Sequence, residues 1–392
     1  MLRFSTAGES HGEALVAVLS GVPAGLEIDA SFVDHELWRR QQGYGRGGRM
    51  RIERDTAHIL SGVRQGKTIG SPVSILLRNK DWENWQEALP VAAGNAARHR
   101  PVKSPRPGHA DLAGALKYNF PEARFVLERA SARESAARVA VGAIAKLLLL
   151  QFGIEVLSHV IAVAGARLER WTPWKEVQAL SRQKQILLNC VDRKTEQLMK
   201  AEVDLALKTG DSVGGVFEVA ANGVPPGLGS YANWDERLDA QLAAALMSLQ
   251  AVKAVEIGDA IEIAGSLGSS AQDEIEYERK AGKAFTGFTR RSNHAGGLEG
   301  GVSNGEEIRV RGYLKPISTL RRPLGSVEFG SRKPVKAAYE RSDVCVVPAA
   351  GVAGEAMVAL TLARCALEKF GGDSLAETLR NFKSYCRQLK DY

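Results

Sequence analysis

Three stretches of the chain are apolar on nearly every side of a 3.6-residue turn. They are residues 131–153, "SARESAARVAVGAIAKLLLLQFG", the middle of 233–258, "NWDERLDAQLAAALMSLQAVKAVEIG", and the latter part of 343–371, "DVCVVPAAGVAGEAMVALTLARCALEKFG". A helix with no polar stripe belongs inside a fold rather than on its surface. Ser131, with Glu134 three residues on, matches a capping box for the first of them. The second runs on into a strand, and the third is preceded by a strand, "DVCVV", and a Pro/Gly break. Extended segments surround these helices. Residues 2–20 alternate, with Gly8 and Gly12 interrupting, and 20–25 form a turn. Residues 57–78 read as two strands around a Gln65-Gly66 turn, "SVGGVFEVAANGVPPGLG" as a strand followed by a Pro/Gly turn, and "EEIRVRGYLKPISTL" as a strand and turn. Residues 29–43 form a helix capped by Asp29 and stopped at Gly43, and "GHADLAGALKYNF" at 108–120 a short one. Residues 172–209 are charged, helix-like and peripheral.

No regular βαβα alternation and no fixed-period repeat organises these elements, which disfavours a doubly wound sheet. The expected architecture is a single α+β domain over 1–392 in which antiparallel sheets cover buried helices. Two long segments lack a periodic signal, the polar 79–108 and the glycine-rich 263–306. A structureless stretch of that length inside a compact domain is usually functional.

Charge adds a preference for anionic partners: 52 Lys and Arg against 45 Asp and Glu, a net charge of +7. Cys190, Cys345, Cys365 and Cys386 form no CxxC pair and read as reduced thiols of a cytosolic protein. There is no signal-peptide pattern, no apolar run near the ~20 residues of a membrane span, and no HExxH-like metal spacing.

Arginine clusters on glycine in "QQGYGRGGRMRIERD", 41–55. The segment matches GxGxxG through Gly43, Gly45 and Gly48, but it follows a helix, and no acid lies between Asp55 and Asp81, so the dinucleotide fingerprint fails. "GVRQGKT" at 62–68 is one residue short of a P-loop and runs into a strand. An RGG-type nucleic-acid segment would be repeated and rich in aromatics; this is one short copy with one tyrosine. Arginines beside Gly, Ser or Pro recur at element boundaries in "SPRPGHAD", "ERASARES", "TRRSNHAGG" and "RSDVCVVP". Two of the seven histidines, His11 and His109, lie beside a glycine and near an acid in loops, a pattern suited to proton transfer.

"GESHG", "QGYGRGGRM", "RPGHADLAGALKY", "RASARESAARVAVGAIAK", "MSLQAVKAVEIGDA", "SNHAGGLEGGVSNG", "KPISTL" and "RSDVCVVPAAGVAGEAM" occur in that order. Together they resemble the chorismate synthase family, in its longer bacterial form, from Phe4 to about residue 370. The resemblance implies a β-α-β sandwich, a homotetramer and a cytoplasmic lyase of the shikimate pathway. The reaction is the anti-1,4-elimination of phosphate from 5-enolpyruvylshikimate 3-phosphate, and it requires reduced FMN (FMNH2). A separate flavin reductase is expected, with NADPH an indirect reductant. By resemblance, His11 is a general acid, His109 bonds the edge of the flavin, and Asp343 takes part in proton removal. Arg40, Arg46, Arg49, Arg133 and Arg341 hold the phosphate and carboxylates, with Ser10 assisting, and Arg40 and Arg46 also match an NADPH contact. Flavin contacts fall on Arg129, Ala130, Ser131, Gln250, Ala251, Gly300, Lys315, Pro316, Ile317, Ser318, Thr319 and Arg341. Ala130 stands where many members have a second serine, and Gln250 where others have Asn. The rival reading from another class is a basic RNA-binding protein using loop 43–51, whose RNA affinity would fall steeply with salt.

Overall fold

A computed structural model describes residues 1–47, 54–94, 98–183, 185–277, 285–340 and 343–392. Two antiparallel sheets dominate. The first runs in the order Arg3–Ala7, Ala14–Ser20, Val73–Arg78, His58–Ser61. Its period-2 alternation buries Leu15, Ala17 and Leu19 on one face, as a sheet with one covered side requires. The second runs Val252–Ile257, Ile308–Leu314, Gly215–Asn222, Glu155–Val163, Ala166–Arg167.

Two of the three apolar helices pack on these sheets and on each other; the third, Leu238–Met247, was expected to be buried but covers only Leu238, Leu242 and Leu246 and leaves Ala240, Ala244 and Met247 exposed. Helix Ser135–Leu150 touches the first sheet and crosses helix Val347–Phe370, which itself lies on strands Glu155–Val163 and Gly215–Asn222. Helix Ala30–Gln41 packs beside both, and helix Leu238–Met247 packs on 347–370 and on strand 252–257. At the central crossing a Cβ on Gly142 would stand 2.3 Å from that of Ala356, so only glycine admits this approach. One apolar cluster extends from Leu2 to Phe382 through these layers.

Some sequence expectations fail in instructive ways. "DVCVV" forms no strand. Its β-branched residues lead directly into the 24-residue helix, with Pro348 in the first turn, where a missing N–H costs nothing. The glycines read as a break lie inside that helix. Among the described residues it is the one helix long and apolar enough to span a bilayer, which the sequence reading overlooked by splitting it. It is nevertheless core, buried along most of its length. Ser131 does cap, but through the Arg133 N–H at 3.3 Å on a 3-10 turn, and the helix proper starts at Ser135. Glu134 makes no reciprocal cap; its carboxylate receives Thr6 Oγ1 (2.6 Å) and Arg138 Nε (2.9 Å). A further helix, Arg124–Ala130, precedes it.

Charges lie inside the helical layer. Glu355, fully buried, accepts from Arg39 Nη2 (2.7 Å), Lys146 Nζ (2.5 Å) and Ser158 Oγ (2.6 Å). Glu36 accepts from the same two cations, Arg39 Nη1 at 2.8 Å and Lys146 Nζ at 2.6 Å. Burial alone would raise both carboxyl pKa values; the two cations outweigh it and hold both low, Glu36 down to about 2. On the opposite face of the second sheet, His159, Glu218, Arg311 and Glu256 stand in register on four adjacent strands, a rung of alternating potential charge. Their contacts include His159 Nε2 to Glu218 at 3.0 Å and Arg311 Nε to Glu218 at 2.7 Å.

Glu355→Gln leaves two buried cations with one carboxylate. It is expected to cost about 3–5 kcal/mol, as breaking buried pairs does, read as a lower urea midpoint; a loss under about 1 kcal/mol would contradict this. Glu36 has a folded pKa below its ordinary 4.5, so its stabilisation is complete above that value and drains away as pH falls toward 2. Glu36→Gln should therefore flatten the pH dependence of stability between those limits, and an unchanged slope would refute the assignment.

Candidate active site

The turn between the first two strands carries Ser10 and His11. Ser10 N–H donates to Glu128 O (3.0 Å), and His11 N–H donates to the Glu128 carboxylate (2.8 Å). His11 Nδ1 lies 2.9 Å from the same carboxylate, and its ring stacks on Trp85 with centroids 4.1 Å apart. Burial would raise the Glu128 pKa; its bonds from His11 outweigh that and hold it low.

His109 repeats the arrangement. Its Nδ1 is 2.6 Å from Asp111, which is fully buried and also bound by Arg106 Nε at 2.8 Å. Arg106 Nη2 also lies 3.1 Å from Nδ1 and could donate to it only if Nδ1 were unprotonated, which would set a nitrogen lone pair 2.6 Å from an ionised carboxylate. The carboxylate therefore decides the tautomer, with Nδ1 protonated. Hydrogen bonds from His109 and Arg106 hold Asp111 well below the usual carboxylate range, against burial.

From His109 a chain of contacts passes through most of the expected cofactor residues. Arg106 Nη1 donates to Thr319 Oγ1 (2.9 Å), and the Lys315 ammonium donates to Gly108 O. Ser318 faces Gly108, and Ile317 O accepts from Ser212 Oγ at 2.7 Å; Pro316 lies between them and Lys315. Lys315 N–H donates to Ala251 O at 3.0 Å, with Ala251 in a left-handed conformation at φ 69°. Next door, Gln250 Nε2 donates to Glu134 at 3.0 Å, and Glu134 takes Thr6 Oγ1. Arg129 Nη2 donates to Thr6 O (2.9 Å) and Nη1 to Gly8 O (3.2 Å), at the start of the turn that holds His11. Ala130 and Ser131 follow directly. Gly300 is not a member of this run: it turns a hairpin between Leu298–Glu299 and Val302–Ser303 that bridges to Gly229.

The guanidinium group sits on the other side of the same turn. Asn79 Nδ2 donates to Gly12 O (2.8 Å) while its Oδ1 accepts from Arg133 Nε (2.9 Å). Arg133 Nη1 reaches Asp55 at 2.6 Å, and Arg40 Nη1 lies 3.7 Å from the same carboxylate. Arg40 Nε is fixed by Ser135 Oγ (2.9 Å) and its Nη2 by Ala132 O (3.0 Å). Arg46 stands 3.5 Å from Asp343, whose carboxylate also takes the Gly47 N–H at 2.5 Å. Burial pushes the Arg40 pKa down to about 10; Asp55 opposes this, and the like charges of Arg133 and Arg46 add to it. Guanidiniums crowded enough to disfavour one another are relieved by an anion. Arg40 Nη1, buried and without a hydrogen bond among the described residues, points to the same conclusion.

The 41–55 loop is docked at its start. Tyr44 hydroxyl donates to Asp204 at 2.6 Å, and a Cβ on Gly45 (φ 81°) would meet Val203 Cγ1 at 2.7 Å. Arg49 and Arg341 lie outside the described residues. Sequence reading missed Asp55, Asn79, Trp85, Glu128 and Arg106. Of these only Arg106 carried a signal, lying three residues before His109 in "RPGHAD". Among the described residues no three His, Cys, Asp or Glu side chains are grouped to hold a metal.

A family model described as chorismate synthase matches residues 2–367. Proteins named chorismate synthase from Koribacter versatilis and Acidobacterium capsulatum are 72% and 65% identical over 393 residues, covering 100% of both chains in each case. The one from Geobacter sulfurreducens is 52% identical over 398 residues, again at 100% of both. A solved structure titled "Crystal Structure of Chorismate Synthase" superposes with a TM-score of 0.78 at 39% identity, covering 100% of this chain and 99% of that one.

Asp55→Asn would leave Arg40 and Arg133 buried without their shared carboxylate. A loss of about 3 kcal/mol is expected, in the range for breaking a buried pair, measured by urea denaturation; a change within about 0.5 kcal/mol would contradict the pairing.

Proposed function

The chain belongs to the chorismate synthase family, and from that premise we propose how its residues divide the reaction among them. The enzyme removes phosphate and a ring proton from 5-enolpyruvylshikimate 3-phosphate in a 1,4-anti elimination, a carbon–oxygen lyase reaction of chorismate biosynthesis. The observation that carries the residue-level reading is the continuous run of contacts from His109 to the turn of His11, with buried guanidiniums behind that turn.

The substrate bears one phosphate and two carboxylates. Arg40, Arg46 and Arg133, planar and permanently charged, suit it, with Arg49, Arg341 and Ser10 completing the set. Arg40 and Arg46 face the carboxylates of Asp55 and Asp343, so we assign them to substrate rather than to NADPH. His11, with Nδ1 committed to Glu128, gives a proton from Nε2. Asp343, held by the Gly47 N–H, is the carboxylate that takes up the ring proton. Phosphate departs as an anion into the guanidinium group.

Reduced FMN fits the opposite rim. Exposed Arg129 and half-buried Lys315 supply cations for a phosphate-bearing group. Ala130, Ser131, Gln250, Ala251 and Pro316–Thr319 supply short side chains and backbone for a flat one. His109 would hydrogen-bond its edge. When bound, the reduced flavin supplies the electron-rich ring that the elimination requires, although substrate and product stand at one oxidation level. Gly300 keeps its place in this assignment only if a second subunit brings the hairpin to the site, which accords with a homotetramer. We further assign the chain a single-domain β-α-β sandwich, a cytoplasmic setting and a separate flavin reductase. Docking of Tyr44 and Gly45 counts against a free RNA-binding arm.

Anaerobic mixing with dithionite-reduced FMN and substrate should release phosphate and chorismate in equal amounts; no release would refute the reading. NADPH with oxidised FMN alone should give no turnover. His109→Ala should lower kcat by at least the ~10²-fold typical of a lost proton-transfer group, with an intact fold; near-wild-type turnover would remove it from the mechanism.

A further inference from the structure

The turn that carries His11 is gripped from beneath by one side chain. Glu128 receives the backbone N–H of His11 on Oε2 (2.8 Å) and faces its Nδ1 with Oε1 (2.9 Å). One carboxylate thus holds both the main chain and the ring of a single residue, which fixes the side-chain rotamer as well as the ring nitrogen. Glu128 is only 3% exposed and is itself braced by Arg124, Nη1 to Oε1 at 3.3 Å. Arg124 is anchored by Arg100 O (2.7 Å) and Glu340 (2.8 Å). A charged carboxylate accepts only, so the proton of a neutral His11 sits on Nδ1, and Nε2 becomes the nitrogen that exchanges a proton with a ligand.

The ring plane is fixed by a second partner. Trp85 stacks on His11 at an interplanar angle of 26°. Its ring is covered in turn by Arg100, 4.5 Å from the centroid, and Arg124, 5.1 Å. Trp85 belongs to the aperiodic segment 79–108. One indole and one carboxylate, with Arg100 and Arg124 behind them, therefore seat this imidazole.

We propose that Glu128 and Trp85 are positioning residues for proton transfer by His11, Glu128 selecting the Nδ1–H tautomer and Trp85 setting the plane in which Nε2 is presented. The inference rests on the reading of His11 as the proton donor. It also gives the polar segment 79–108 a task in catalysis, because Trp85 is delivered to His11 by that segment.

Side-chain 15N NMR of the full-length enzyme tests it, with His11 resonances assigned by their loss in His11→Asn. The wild-type neutral ring should show the Nδ1–H signature, and an Nε2–H signature would overturn the proposal without any variant. In Glu128→Gln the amide can donate as well as accept, so a mixture of tautomers should appear, with kcat lower by about 10²-fold, the scale of a general acid's contribution, and KM within about three-fold. An unchanged tautomer or unchanged kcat would overturn it. Trp85→Ala should keep the tautomer yet lower kcat, and Trp85→Phe should restore most of the loss; equal turnover in Trp85→Ala and wild type would remove Trp85. If His11→Ala retained full kcat, the role assigned to His11 would fail, while the NMR result would still report on Glu128.

Discussion

Two carboxylates and two cations buried in the helical layer, Glu36, Glu355, Arg39 and Lys146, set the rotation and spacing of the elements around them. They tie helices 30–41, 135–150 and 347–370 to strand 155–163. The catalytic consequence comes from adjacency. Arg39 and Arg40 are neighbours on one helix, about 100° apart around its axis. With Arg39 locked onto Glu355, Arg40 has one direction available, toward Ser135 and Asp55. Likewise, Lys146 and Ser135 share a helix, one bonding the core carboxylate and the other the site arginine. Buried charge is costly unless fully paired, and here pairing in the core fixes where the arginines of the candidate site can be.

The apolar half of this fold was legible in the sequence, and the ionic half was not. Helices 135–150 and 347–370, with no polar stripe, are internal, whereas helix 238–247 buries only Leu238, Leu242 and Leu246 and leaves Met247 exposed. Yet Glu36, Arg39, Lys146 and Glu355 sit in sequence exactly as solvated helix residues would, and their partners are up to 316 positions away. Periodicity carries no information about such pairs. The failed strand at 343–347 has a similar cause. Val344, Val346 and Val347 favour extension locally, but Pro348 suits a first helical turn equally well, and packing decided.

The site was legible where local motifs carried it. "GESHG" and "RPGHAD" pointed to both histidines of the candidate site, and the arginine-glycine loop to Arg46. What escaped were the groups that make those residues usable. Asp55 carried no signal in the sequence, whereas it is the buried counter-charge of Arg40 and Arg133. Glu128 lay in a stretch before Ser131 to which no element was assigned. Trp85 lay in a stretch with no pattern at all. Supporting residues need only arrive from the right direction, and direction is a property of the fold rather than of the neighbouring letters.

The in-register row of His159, Glu218, Arg311 and Glu256 acts as a proofreading mark for strand pairing. A slip of one residue would turn every member of the row into the apolar layer against helix 347–370. A slip of two would set Arg311 opposite Val216 or Ala220, strands intact but charges stranded. Apolar strands such as 155–163 and 215–222 otherwise tolerate misalignment, since one valine resembles the next. Four polar letters in a run of hydrophobic ones make the correct alignment far better than its neighbours, and so guard a chain of this length against mispaired, aggregation-prone intermediates.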